Sequence, residues 1–75
     1  MNEITEKPMS KVRFVIMHYG GYKEVARMFS LKTVSIRKWC TDGVSDIHQA
    51  QFRELAAKIN IVMNDDDLNY PDDAT

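Results

Sequence analysis

The sequence predicts a small all-α domain of about four helices, and three observations carry that expectation. Apolar residues recur at the i, i+3, i+4 spacing of a helix in successive stretches. Short breaks separate those stretches, with glycine at Gly20-Gly21 and in Thr41-Asp42-Gly43. Seventy-five residues with 44% hydrophobic content make one core, with little room beside it for an enzyme cleft.

Residues 1–9 are polar, contain Pro8 and are expected to be flexible. Ser10 is a good N-cap for the stretch that follows, in which Val12, Val15, Ile16 and Tyr19 recur at helical spacing. The β-branched Val and Ile would also suit a strand, but the period favours a helix, and Gly20-Gly21 stops it. A second helix is expected over about residues 22–29 and a third over about 33–40. Lys32 stands where a Ser or Thr N-cap is more usual, so Thr33 is an alternative cap that would shift the start by one residue. Gly43 is suited to the left-handed C′ position after the third helix.

Asp46 and Gln49 are spaced as a capping box for a fourth helix. That helix carries Ile47, Gln51, Leu55 and Ile59 on one line, with Phe52 and Ala56 beside it, and is expected to reach Ile61 or Met63. Carboxylates at a helix C-terminus oppose the macrodipole, so Asp65-Asp66-Asp67 should mark its end. Residues 64–75 then read as a solvated, disordered acidic tail whose apolar anchors are Leu68 and Tyr70. The domain proper is residues 10–63.

The net charge of −1 conceals an asymmetry. Residues 7–60 hold all ten Lys and Arg against Glu24, Asp42, Asp46 and Glu54, a net +6. Residues 1–6 carry −2, and residues 61–75 carry −5. Screening at physiological salt acts over about 8 Å, so a phosphate ligand would feel the local basic body rather than the total. The acidic tail would oppose non-specific binding to a polyanion by repulsion.

Within residues 22–39 the spacing is that of two helices crossing closely at a short turn. Ala26 is the small residue at the crossing, Val25 and Phe29 lie one turn apart, and Ile36 and Trp39 form an i, i+3 pair returning to the same core. This is the spacing of a helix-turn-helix, whose exposed second helix fits the DNA major groove. With Ile36 and Trp39 inward, Thr33, Val34, Arg37 and Lys38 turn outward as candidates for base contacts. Arg37 suits guanine O6 and N7, and Lys38 the same acceptors or a phosphate. Thr33 can bond a base edge, and Val34 or the Thr33 methyl can pack on a thymine methyl. Tyr22, Lys23 and Lys32 lie at helix ends and are candidates for sugar-phosphate contacts, which position a domain without reading sequence. The plain alternative for all seven is a solvated basic surface.

Trp39 could stack on a base, but its spacing places it in the core. Cys40 has no second Cys or His at ligand spacing and reads as a structural thiol, although Arg37 and Lys38 lie nearby. His18 and His48 are isolated and read as surface or boundary residues, and the aspartate run lacks the spacing and glycine of a calcium loop. No metal, cofactor or small-molecule substrate is expected, and no nucleophile, base and oxyanion site assembles. A single cysteine excludes an intrachain disulfide and fits a reducing compartment. The longest apolar run, residues 14–17, is far too short for a bilayer, and the N-terminus is unlike a signal peptide. A cytoplasmic protein without membrane partners is the expectation.

At these residues the chain resembles the Cro-type helix-turn-helix regulators of temperate bacteriophages and prophages. The resemblance covers about residues 10–57. It rests on Gly20-Gly21, Val25-Ala26, Phe29-Ser30-Leu31, Val34-Ser35-Ile36-Arg37-Lys38-Trp39, Asp42-Gly43-Val44 and Phe52-Arg53-Glu54-Leu55-Ala56. It implies a Cro- or lambda-repressor-like fold, operator DNA as partner, a homodimer or cooperative assembly on DNA, and repression of transcription in a bacterial host cell. Ser30 stands where the family has a turn glycine, so the turn either bends differently or accepts left-handed strain. The C-terminal segment does not read as the strand by which some members dimerise, which leaves Ile61, Val62 and Met63 as the candidate partner surface or as closure of the core. Two other roles fit the same residues: an excisionase that binds repeated sites, alone or combined with repression, and an antirepressor-like protein-interaction module.

Overall fold

The computed structural model describes residues 10–71, and these are all-helical. The expected flexibility of residues 1–9 lies outside the described residues, as do residues 72–75. Five α-helices follow in order: α1 Lys11–His18, α2 Tyr22–Phe29, α3 Thr33–Asp42, α4 Gln49–Ala57 and α5 Asp65–Asn69, with a single 3₁₀ turn at Asp46–His48. None of these helices is long and apolar enough to cross a membrane.

Each early boundary has a local cause. Ser10 caps α1 as expected, its Oγ accepting from the Arg13 amide at 3.1 Å. Gly20, at φ +112°, reverses the chain while the Gly21 amide bonds back to the Ile16 carbonyl at 2.9 Å. Helix α2 ends at Ser30, which takes the left-handed conformation at φ 58° and ψ 42°. The Leu31 amide then reaches the Ala26 carbonyl at 2.8 Å and the Ser30 amide the Arg27 carbonyl at 3.2 Å, the two bonds of a Schellman end. Of the two outcomes foreseen for Ser30, the turn therefore takes the strained one. Replacing Ser30 by glycine should remove that strain and raise stability by about 1 kcal/mol, net of the added unfolded-state entropy. A higher urea midpoint with an unchanged slope would verify it.

Helix α3 begins at Thr33 with Lys32 in the N-cap position, and no side chain caps it. It runs two residues beyond the expected end, and the Thr41 hydroxyl donates to the Lys38 carbonyl at 3.2 Å in its last turn. Gly43 has the expected positive φ, +100°, but its ψ of 163° is extended rather than left-handed helical. The reason is tertiary. The Val44 amide donates to the Leu68 carbonyl at 2.8 Å, and a Cβ on Gly43 would sit 2.7 and 2.8 Å from the carbonyl oxygens of Asn69 and Leu68.

The C-terminal third corrects several expectations. The Asp46–Gln49 capping box does not form. Ser45 is the N-cap of the 3₁₀ turn, and Gln49 Nε2 donates instead to the Val44 carbonyl at 2.9 Å and to Asn69 Oδ1 at 2.8 Å. Helix α4 stops at Ala57, because Asn60 turns left-handed at φ 64° and the Ile61 amide closes onto the Ala56 carbonyl at 2.9 Å. Ile47, placed on the core line by spacing, is 85% exposed, since the 3₁₀ turn shifts it out of the helical phase. Residues 64–71 are not a solvated tail. Asn64 and Asp67 form a reciprocal capping box for α5, and Leu68 is fully buried while Tyr70 is exposed.

The core runs through every helix. Val12, Val15 and Ile16 of α1 meet Val25, Ala26 and Phe29 of α2, and Ile36, Trp39 and Cys40 of α3 close the same interior. Phe52, Leu55 and Ala56 of α4 complete it with Val44, Met63 and Leu68. At its centre Phe29 and Trp39 meet edge to face at 5.1 Å, and Trp39 and Phe52 at 5.7 Å. The Tyr19 hydroxyl donates to the Leu55 carbonyl at 2.7 Å, tying the end of α1 to α4. Met63 thus closes the core, whereas Val62 stays 83% exposed.

Candidate nucleic-acid interface

The candidate surface begins with two helices of unequal duty. Helix α2 is half-buried, and its three-residue connection to α3 consists of Ser30, half-buried Leu31 and exposed Lys32. Ten residues of α-helix span about 15 Å, with a diameter of about 10–12 Å including side chains. The B-DNA major groove is about 12 Å wide, so α3 has dimensions that the groove accepts.

Burial divides α3 cleanly. Ile36, Trp39 and Cys40 are buried, while Thr33, Val34, Arg37 and Lys38 are all exposed. At 100° per residue those four occupy a sector about 140° wide, and Thr41 falls within it. Val34 is 55% exposed amid polar neighbours, a β-branched apolar group that the core does not use. Trp39, 3% exposed, is unavailable for stacking on a base. Lys32 and Lys23 are exposed at the N-termini of α3 and α2. The α3 N-terminus lacks a side-chain cap and has no acidic residue in its first turn, so its leading amides and Lys32 present positive charge together.

Tyr22 differs from the other six candidates. It is half-buried against the core, and the Arg37 guanidinium lies over its ring, with Cζ 5.8 Å from the centroid. Burial, then the charge of neighbouring Cys40, pushes the Tyr22 hydroxyl above its ordinary pKa of 10 against the opposing pull of Arg13 and Arg37. The phenol is therefore neutral at physiological pH. Arg13, on the first helix, was not among the sequence candidates. The fold brings its charge to bear on Tyr22, and nothing in the local pattern of α1 distinguishes it from any exposed basic residue.

Two aspartates of the acidic segment are engaged by basic residues outside this set. Asp67 pairs with Lys11 of α1 at 3.2 Å, and Asp65 pairs with Arg53 of α4. Lys11 Nζ also donates to the Val62 carbonyl at 3.1 Å. Among the described residues, no carboxylate pairs with Lys23, Lys32, Arg37 or Lys38, and Arg27 of α2 pairs with Glu24 at 3.6 Å. Such exposed pairs add little stability, but they fix which charges remain available to a ligand.

His48 is the boundary residue that its sequence context allowed, half-buried against the aromatic core rather than isolated. Its ring lies 5.5 Å from that of Phe29 and 5.7 Å from that of Trp39, and its Nδ1 is buried without a hydrogen-bond partner. It belongs to the rear wall of α3 rather than to the exposed face. The chain matches no family model, no curated protein and no solved structure.

Proposed function

We propose that the chain is a helix-turn-helix domain that binds double-stranded DNA in a sequence-specific way and regulates transcription, as a repressor of the Cro type from a temperate bacteriophage or prophage. In this reading α2 is the supporting helix and α3 the recognition helix. Arg37 and Lys38 read guanine edges, Thr33 and Val34 meet neighbouring bases, and Tyr22, Lys23 and Lys32 face the sugar-phosphate backbone. The single observation that carries the reading is the division of α3. Its inner residues Ile36, Trp39 and Cys40 are locked into the core, while a contiguous basic and apolar sector of groove-compatible size is exposed, and its Arg37 and Lys38 pair with no carboxylate among the described residues.

One small domain makes few base contacts, so specific affinity calls for a homodimer or cooperative assembly on DNA. A twofold dimer would read half-sites about 34 Å apart. Val62, exposed beside the buried Met63, is the apolar residue that remains of the candidate partner surface.

Selection of bound sequences from random duplex DNA tests the reading directly. An enriched site is expected, with a palindrome reporting a twofold dimer and direct repeats reporting the excisionase-like arrangement. Affinity for that site should fall with salt along a log–log slope of about −0.9 per neutralised phosphate. A folded sample that binds no duplex at low salt would defeat the proposal and favour a protein-interaction module.

A further inference from the structure

The first residue of α2 and the middle of α3 are brought together at the outer surface by a contact that consumes no hydrogen-bond donor. The Arg37 guanidinium sits over the face of Tyr22 at 5.8 Å, within the roughly 6 Å reach of a cation–π interaction. The ring is held by packing against the core, whereas Arg37 is exposed. A long exposed side chain samples many rotamers, and ordering it on binding costs free energy that a pre-set pose avoids. A carboxylate partner would also order it, but would occupy the edge of the guanidinium fork. A ring face orders it through the π-cloud without an acceptor atom that would occupy the guanidinium's N–H donors. The neutral phenol keeps that face electron-rich without adding a charge that would repel phosphate.

We infer that Tyr22 is a positioning residue for Arg37, its ring holding the guanidinium in the orientation from which it reads a base. This inference rests on the DNA-binding reading above. It gives Tyr22 a part in base specificity in addition to any contact its hydroxyl makes with the backbone. The specificity device is then shared between two helices, the supporting helix supplying the platform and the recognition helix the donors.

A double-mutant cycle tests it. Affinities of wild type, Tyr22→Phe, Tyr22→Leu, Arg37→Ala and the Tyr22→Leu/Arg37→Ala pair are measured on the selected duplex and on unrelated duplex, with thermal melting recorded for each. Tyr22→Leu should weaken the selected site about two- to fivefold more than unrelated DNA, the range of an exposed cation–π contact, with any loss common to both duplexes belonging to the backbone contact. Tyr22→Phe should retain the wild-type preference for the selected site, and Tyr22→Leu should not reduce that preference further once Arg37 is alanine. Additive losses of preference, or a loss of preference in Tyr22→Phe equal to that in Tyr22→Leu, would overturn the positioning role while leaving DNA binding intact. Wild type that binds no duplex would instead overturn the reading on which it rests. Should Tyr22→Leu fail to fold, the Arg37 Cδ proton shifts of the wild-type protein decide the matter. Upfield displacement by the Tyr22 ring is expected, and shifts at their ordinary values would sink the inference.

Discussion

Replacing Gly43 by alanine is expected to lower the melting temperature by more than about 10 °C, although the change adds one methyl group at the surface end of α3. Two costs add. The first is backbone strain: φ +100° with ψ 163° lies in a region open essentially to glycine, and holding another residue there costs about 1–3 kcal/mol. The second is contact. The new Cβ would lie 2.7 Å from the Asn69 carbonyl oxygen and 2.8 Å from that of Leu68, both backbone atoms that cannot swing aside. Relieving the overlap moves α5 away, which threatens the Val44–Leu68 backbone bond and the seat of the buried Leu68. Against a total stability of about 4–11 kcal/mol for a chain of this length, the sum is a large fraction. Thermal unfolding by circular dichroism reads it. Calorimetric stability equal to wild type would show that α5 does not seat against Gly43.

The second large effect concerns binding. Arg37→Ala should weaken the selected duplex by roughly 1–3 kcal/mol, about 5- to 150-fold, and relax the preference at one base pair. Arg37 is exposed and makes no ion pair among the described residues, so its removal leaves the core and the fold's charge pairs intact. Lys23→Ala or Lys32→Ala should behave differently. Each should weaken all duplexes alike and reduce the salt slope by about 1, because a phosphate contact carries no sequence information. Fluorescence titrations at several salt concentrations separate the two patterns. An Arg37→Ala loss of equal size on every sequence would reassign Arg37 from base reading to phosphate contact.

Helices α1 to α3 were legible because their signals are local. Ser10 caps, Gly20-Gly21 stops, and the burial of Ile36 and Trp39 follows from spacing alone. The exposed sector of α3 followed for the same reason, since fixing one face of a helix fixes the other. At the aspartate run the local rule holds, but at the opposite helix end from the one expected. Carboxylates do oppose a helix C-terminus, but Asp65, Asp66 and Asp67 occupy the first turn of α5, where the dipole favours them. The signal was present: Asn64 and Asp67 have the spacing of a capping box, and Leu68 follows at once. The Asp46–Gln49 pair had the same spacing and formed no box, because the Gln49 side chain is instead held by the bonds its Nε2 donates to Val44 and Asn69.

The sequence by itself determined the all-helical class, the span of α2, the start of α3 and the outward set Thr33, Val34, Arg37 and Lys38. Each depends on residues within a few turns of one another, where periodicity and capping act directly. Only the tertiary structure decided that the acidic segment folds back onto Lys11 and Arg53, that Gly43 must remain bare beneath Asn69, and that Tyr22 lies under Arg37. Those are contacts between residues that linear spacing does not relate. Their partners are chosen by which surfaces the packed core leaves facing each other, a choice made only when the whole chain closes on its apolar side chains.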